Sequence, residues 1–283
     1  MSIPLKAKST RNTNRRLQYI PVPAFIDNYI WVITNGCDAV VVDPGDAAVI
    51  TGFLGRHSLR LIAILLTHHH ADHVGGVASL IQMYSTNSPV LVYGPRSEPI
   101  PEITNPLIGE DLVYIEPLDL VLSIIHVPGH TRGHIAYFSD ATSLDQAPHL
   151  LCGDTLFSSG CGRLFEGTPQ QMLASLDTLM ALPDATEVHC AHEYTLSNIA
   201  FALQVEPDNI DLLAWQAQAH NLRAAGEATL PTTIGHEKRV NLFLRVHLPA
   251  IRQRLADKRH VYTIGRLETF TELREWKNVF CCG

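Results

Sequence analysis

No stretch of the 283-residue sequence approaches the ~20 consecutive apolar residues that a membrane-crossing helix needs, which argues against a bilayer-spanning protein. The six cysteines, at positions 37, 152, 161, 190, 281 and 282, show no CxxC spacing and are too sparse for a disulfide scaffold. A reduced, cytoplasmic setting is the simpler reading. Positive charge is also in short supply. Residues 1–194 hold 10 Lys/Arg against 19 Asp/Glu, a net of −9, and residues 195–283 hold 11 against 9, a net of +2. An acidic body does not suit a nucleic-acid binder, whose affinity comes largely from phosphate contacts. An anionic small molecule would be met locally, by the C-terminal segment. Repeats and low-complexity tracts are absent. Hydrophobic residues at 46% and charged residues at 17% describe an ordinary soluble chain, expected as a monomer, with one large domain and a modest second one.

Acidic residues are missing altogether from residues 1–16, which carry five Lys/Arg and almost no large apolar side chains. Without the apolar core of a secretory signal, this segment reads as a disordered leader, with an organelle transit peptide as the alternative.

What the sequence does contain is Thr67-His68-His69-His70-Ala71-Asp72-His73, directly after the apolar run 61–66. That run reads as a buried strand. In extended geometry His68 and His70 share a side while His69 points elsewhere. If a helix starts next, Asp72 and His73 swing back toward the same pocket. Two imidazoles on one side, and a carboxylate with an imidazole on the other, begin two adjacent metal sites.

The pattern around this stretch is strand-rich. Residues 28–34 and 39–42 read as paired strands about the Asn35-Gly36 turn, and 47–57 as a helix. Asp43 ends a buried strand and either orients a metal-binding histidine or serves as a turn residue before Pro44. Gly75-Gly76 allows close backbone approach, and 77–84 continues a helix. Further strands are expected at 90–93, 120–127, 135–139, 150–154 and 186–190, several ending on His or Asp. Strands mixed with helices, neither strictly alternating nor all hairpins, suit an α+β fold of two face-to-face sheets with helices outside, the αββα sandwich. From about residue 195 the character becomes helical, with segments at 197–205, 212–225, 241–247, 249–257 and 270–278. The expected division is a leader at 1–16, a catalytic domain at 17–194 and a smaller helical, substrate-binding domain at 195–283.

The strand-end candidates are His68, His70, Asp72, His73, His130, Asp154 and His192. Seven ligands serve two ions if one carboxylate bridges, and Asp154 is the natural bridge because it offers two oxygens. This assigns His68, His70 and His130 to the first ion, and Asp72, His73 and His192 to the second. A water shared by both ions would be ionised near neutral pH, a nucleophile for a carbonyl. Zinc is the expected metal, with iron and manganese as alternatives. His69, His126, His134 and His189 read as structural or supporting residues.

The 67–73 motif resembles the signature of the metallo-β-lactamase superfamily, whose fold is this sandwich. Pro128-Gly129-His130-Thr131, Gly153-Asp154-Thr155-Leu156-Phe157 and His192-Glu193-Tyr194-Thr195 match further motifs in order. Three segments, 160–168, 191–198 and 273–280, narrow the resemblance to glyoxalase II, hydroxyacylglutathione hydrolase, over about residues 19–280. Arg163 and Phe165 match its bacterial members. The leader has no counterpart, and Asn278 stands where Asp is expected.

The resemblance implies hydrolysis of S-D-lactoylglutathione to D-lactate and glutathione, the second step of methylglyoxal detoxification, with two divalent ions as cofactors. Asp72 and Asp154 are the carboxylates expected to act in catalysis. Arg163, Leu164, Phe165, His192, Tyr194, Arg274 and Lys277 are expected to meet the substrate. Arg274 and Lys277 are spaced i, i+3 on one helix and could clamp a carboxylate of glutathione. A thiolate with a parent pKa near ~8.5 leaves at neutral pH without a strong acid, which agrees with a thioester. The rival enzyme, a glutathione persulfide dioxygenase, uses a single iron and has no need of the second ligand set. The lack of a secretory signal and the extra helical domain disfavour a secreted β-lactamase, and the acidic body disfavours an RNA-processing phosphodiesterase; a metal-binding module without turnover is the alternative from another class.

Overall fold

The structure, a computed structural model, describes residues 16–86, 88–142, 147–263 and 265–280. Residues 1–15 of the expected leader at 1–16, and Cys281 and Cys282, lie outside the described residues.

The first sheet has six strands in sequence order: β1 (Gln18–Ala24), β2 (Asn28–Thr34), β3 (Asp38–Val42), β4 (Arg60–Leu65), β5 (Leu91–Pro95) and β6 (Asn105–Leu107). β1 to β3 pair antiparallel, and β3 to β6 pair parallel. β2 and β3 are buried at every residue, and their alternate side chains serve two cores. Ile30, Val32, Val41 and Ile64 pack outward on α1 (Ala47–His57) and, beyond the short α2 (Ala71–Val74), on α3 (Val77–Tyr84). Trp31, Ile33, Val40 and Leu65 pack inward on the second sheet.

The second sheet is built from β7 (Leu112–Ile115), β8 (Leu120–His126), β9 (Ile135–Ser139) and β10 (His149–Gly153), joined past a small hairpin, β11 (Leu156–Phe157) and β12 (Gly160–Cys161). β13 (Glu187–Cys190) and β14 (Thr232–Thr233) complete it, in the order β14-β13-β10-β9-β8-β7. Its outer face is covered by α4 (Pro169–Met180), whose Met172, Leu176 and Leu179 are fully buried. The arrangement is the αββα sandwich of the α+β class. β10 runs parallel to β13 and antiparallel to β9, which is antiparallel to β8. β8, β10 and β13 therefore end at one rim, where the sequence places its histidines and aspartates.

The C-terminal segment contributes α5 (Thr195–Val205), α6 (Ile210–Ala224), α7 (Ile234–Val240), α8 (Pro249–Arg259) and α9 (Arg266–Val279). One expectation needs correction. Residues 241–247 form only a 3-10 turn at Leu242–Leu244, because Asn241 ends α7 and its side chain caps the turn through the Phe243 N–H. The mainly helical segment after 195 also contributes one short strand, β14, which pairs with β13 in the second sheet. α4 was not anticipated, although Thr168 and Gln171 form a full capping box at its start, with Pro169 in the first turn. No helix among the described residues is long and apolar enough to cross a membrane, and Cys37, Cys152, Cys161 and Cys190 are free thiols.

Candidate metal centre

The stretch 67–73 leaves β4 at its buried end. The Thr67 N–H and hydroxyl donate to the two oxygens of Asp43 at 2.8 and 2.7 Å, and its carbonyl receives the Ile135 N–H from the opposite sheet at 3.0 Å. Asp43 holds a left-handed φ of 50°, uncommon for a residue with a side chain, while serving this loop.

Three nitrogens converge first. His68 Nε2 and His130 Nε2 each lie 3.0 Å from His70 Nδ1. A second group gathers opposite, with Asp72 Oδ2 3.5 Å from both His73 Nε2 and His192 Nε2. Asp154 stands between them. Its Oδ2 is 3.3 Å from His130 Nε2, while its Oδ1 is 3.3 Å from His192 Nε2 and 3.4 Å from His73 Nε2. Gly162 admits the Asp154 backbone closely: a Cβ there would fall 1.8 Å from the Asp154 carbonyl oxygen.

The outer partners fix which ring nitrogens are bare. His130 Nδ1 faces the Arg163 carbonyl at 2.8 Å and His192 Nδ1 faces Asp27 Oδ1 at 2.9 Å. His73 Nδ1 lies 3.0 Å from Asp43 Oδ2. Carbonyl and carboxylate oxygens only accept, so in His130 and His192 Nδ1 carries a proton and Nε2 is the nitrogen turned inward, available as a lone pair once its own proton is displaced. The Thr67 hydroxyl, already spent on Asp43, likewise accepts from His68 Nδ1 at 3.0 Å. Inward-turned nitrogens thus face one another and two carboxylates, and both ring nitrogens of His73 and Oδ1 of Asp154 are buried without a hydrogen-bond partner. A cation satisfies such a set, and a proton on any one of them does not.

Ring orientation supports this. In a straight N–H···N hydrogen bond two imidazoles stand end to end, as His149 and His189 do, with nitrogens 3.0 Å and ring centroids 5.2 Å apart. His68–His70 and His70–His130 have the same nitrogen separation but centroids only 4.6 and 4.7 Å apart. Their nitrogens aim past one another toward a common point.

The electrostatics agree. Burial, with help from neighbouring imidazoles, pushes the pKa of His68 well below the usual range, and burial also lowers His70 and His130, keeping all three neutral. Burial works against ionised Asp154, yet His73 and His192 outweigh it and hold the carboxyl far down. Burial likewise opposes a charged His192, but Asp154 and Asp27 raise it to about 10, and Asp154 and Asp43 raise His73. A field that retains protons beside Asp154 attracts metal ions to the same place.

The centre forms the floor of a cavity of about 670 Å³. Arg163, Phe165, Tyr194, Arg274 and Lys277 line its wall. Tyr194 stacks flat on His192, ring centroids 4.7 Å apart, and the Arg163 guanidinium lies over the Phe165 ring. Leu164 does not line the cavity and packs against the main core. Arg274 is 6% exposed and donates to the Cys161 carbonyl at 2.8 Å, whereas Lys277 is half-buried and donates to the Ser197 carbonyl and hydroxyl at 2.9 and 3.0 Å.

His69 points away from the triad, toward Glu98 and Glu166. His134 stacks on His68, centroids 4.7 Å apart, and its Nε2 accepts the Asp154 N–H at 3.1 Å. Sequence reasoning missed Asp27 and Asn28. Asp27 holds His192, and Asn28 Nδ2 donates to Asp72 Oδ2 at 2.9 Å. The only signal available was two polar residues opening a strand that is otherwise apolar.

Comparison with known proteins accords with this geometry. The metallo-beta-lactamase superfamily profile matches residues 25–192, and the hydroxyacylglutathione hydrolase C-terminus profile matches residues 193–280. A hydroxyacylglutathione hydrolase from Cupriavidus taiwanensis is 52% identical over 268 residues, covering 93% of this chain and 99% of its own. Among solved structures, ETHE1 from Myxococcus xanthus shares the fold at a TM-score of 0.60 and 20% identity, covering 92% of this chain and 96% of its own. TTHA1623, solved in a di-iron-bound form, aligns at a TM-score of 0.54 and 26% identity, covering 80% of this chain and all of its own. The chain belongs to the hydroxyacylglutathione hydrolase family of the metallo-beta-lactamase superfamily.

Proposed function

We propose that the protein hydrolyses S-D-lactoylglutathione, and 2-hydroxyacylglutathione thioesters generally, to the 2-hydroxy acid and glutathione. It is a metal-dependent thioester hydrolase. The carrying observation is the pair of ligand groups facing the two oxygens of one carboxylate, Asp154, at the floor of a cavity. His68, His70 and His130 would hold one divalent ion and Asp72, His73 and His192 the other, with Asp154 shared. Zinc is the proposed metal, with iron or manganese as substitutes. When bound, the ions supply Lewis acidity to the thioester carbonyl and acidify water beside it.

The chain's own residues do the rest. Asp27 and the Arg163 carbonyl hold His192 and His130 with Nε2 inward, and Asp43 lies 3.0 Å from Nδ1 of His73. Asp72 is held by Asn28, which orients its oxygen toward His73 and His192. Water adds to the carbonyl carbon, the carbon–sulfur bond breaks, and glutathione leaves as thiolate without needing a strong acid. Arg163, Tyr194 and Lys277 line the side of the cavity from which the glutathione portion would be held. The helical segment 195–283 is thus the proposed substrate-binding domain, and the free thiols fit a cytoplasmic setting.

A single-iron persulfide dioxygenase would leave one complete ligand group without a purpose. The test is thioester absorbance with S-lactoylglutathione, before and after chelation. Steady loss of absorbance that chelation abolishes and zinc restores is the expected result. No turnover by protein carrying two ions would overturn the proposal.

A further inference from the structure

Glu98 lies in the loop after β5, and its side chain is almost wholly enclosed. Its Oε1 accepts the Thr131 hydroxyl and the Gly133 N–H, both at 2.7 Å. Its Oε2 is hydrogen-bonded by Nδ1 of His69. Thr131 follows His130 in sequence, and His69 sits between His68 and His70. The three imidazoles of the first ligand group therefore stand on two loops that meet at one buried carboxylate. Space for that carboxylate depends on a glycine: a Cβ at Gly133 would fall 2.6 Å from Glu98 Oε1. On its other side His69 Nε2 lies 3.4 Å from Oε1 of Glu166, whose Oε2 accepts the Arg132 N–H at 3.0 Å. His69 is gripped at both ring nitrogens, each time by a carboxylate tied to the loop of His130.

A buried carboxylate is unfavourable unless donors compensate for lost water, and three donors do so here. All three belong to segments that carry ligands of the first group. Such an arrangement would be wasteful as mere packing, since an apolar residue would fill the space without the desolvation.

We propose that Glu98, acting through His69, Thr131 and Gly133, is a positioning residue that fixes the two loops bearing His68, His70 and His130 relative to each other, and so sets how tightly the first ion is held. The inference rests on reading that group as a metal site. Outer-shell partners of this kind are worth about 10- to 100-fold in metal affinity.

The test uses full-length Glu98→Gln, Glu98→Ala and Gly133→Ala proteins loaded with Zn2+ and dialysed against a chelator series. Metal per chain is read by elemental analysis, alongside thermal unfolding of the metal-free proteins. Glu98→Ala and Gly133→Ala should lose one ion per chain at chelator strengths about 10- to 100-fold lower than the parent, and hold the other normally. Glu98→Gln still offers an oxygen to Thr131 and Gly133 and should fall between. Variants that keep both ions like the parent, with only the metal-free Tm lowered, would reduce Glu98 to packing and overturn the inference while the site reading stands. Equal loss of both ions would overturn it too. A parent protein that binds nothing at the first group would instead sink the site reading, and the inference with it.

Discussion

Nδ1 of His192 lies 2.9 Å from Oδ1 of Asp27, so the turn between the first two strands grips the ligand that ends β13. The same turn reaches Asp72 through Asn28. Two of the three members of the second ligand group therefore depend on adjacent residues of one hairpin. Asp27→Ala should free the His192 ring and weaken the second ion about 10- to 100-fold, leaving the first in place. Titration with a metal-sensitive dye should resolve one weakened site. Two unchanged sites would mean the contact has no role in holding metal.

Asp154 is the residue on which both groups depend. Asp154→Ala should strip both ions and nearly all turnover, because each coordination set loses the oxygen Asp154 supplies to it together with the negative charge between the imidazoles. Chelating the parent protein should lower its Tm, since ions that bind only the folded state stabilise it by mass action. Metal analysis and calorimetry check both outcomes. One ion retained at full strength in Asp154→Ala would rule out a shared carboxylate.

Glu237 gives a pH signature away from the metal centre. It is fully enclosed where α7 meets the turn of the β11–β12 hairpin, and accepts the Ser159 N–H at 2.8 Å and Asn241 Nδ2 at 3.0 Å. Burial raises its pKa from 4.5 to about 7, against the opposing pull of its hydrogen bonds. A raised carboxyl pKa means the folded state binds the proton more tightly. The associated stability is fully present below pH 4.5 and is lost as pH rises through about 7, by up to about 3 kcal/mol. Glu237→Gln keeps an oxygen for Ser159 and removes the titration. Denaturant unfolding across that window should show the parent declining relative to the variant, and parallel curves would refute the assignment.

Much of the centre was legible in sequence because strand ends and ligand spacing are local properties. The 67–73 stretch announces itself through alternation, and His130, Asp154 and His192 each close an apolar run. What stayed hidden was delivered by topology. Asp27 is separated from His192 by 165 residues and Glu98 from Thr131 by 33, and nothing local marks either carboxylate as an orienting group. α4 does carry a local signal, the capping box of Thr168 and Gln171 at its start. The 3-10 turn at Leu242–Leu244 shares the apolar spacing of a longer helix, because Leu, Phe and Val at that spacing also suit a buried turn. Arg274 and Lys277 do follow the helical spacing of α9, but periodicity says nothing about how deep each lies.

That difference in depth separates the last pair of variants. Lys277 is half-buried on the cavity wall, and its ammonium rests on Ser197, so it can turn toward an anionic substrate. Arg274 is buried beside Phe243, with its Nη1 on the Cys161 carbonyl at 2.8 Å, and the next residue, Gly162, packs against the Asp154 carbonyl and donates its N–H to the Thr155 carbonyl. Loss of one charged contact to a carboxylate amounts to about 1.5–3 kcal/mol, or roughly 10- to 150-fold. A contact from Lys277 to a glutathione carboxylate would be made away from the reacting thioester, and so would be similar in ground and transition states. Lys277→Ala should therefore raise KM for S-lactoylglutathione by that factor while sparing kcat, and should scarcely affect a small thioester lacking glutathione. Arg274→Ala should behave differently. It leaves a buried carbonyl unpaired and a cavity beside Phe243, so Tm should fall and both substrates should suffer, with kcat reduced as the Asp154 loop loosens. Measuring both substrates with both variants gives four comparisons. If Arg274→Ala instead spares Tm and the small thioester, its guanidinium meets glutathione directly and its bond to Cys161 is incidental.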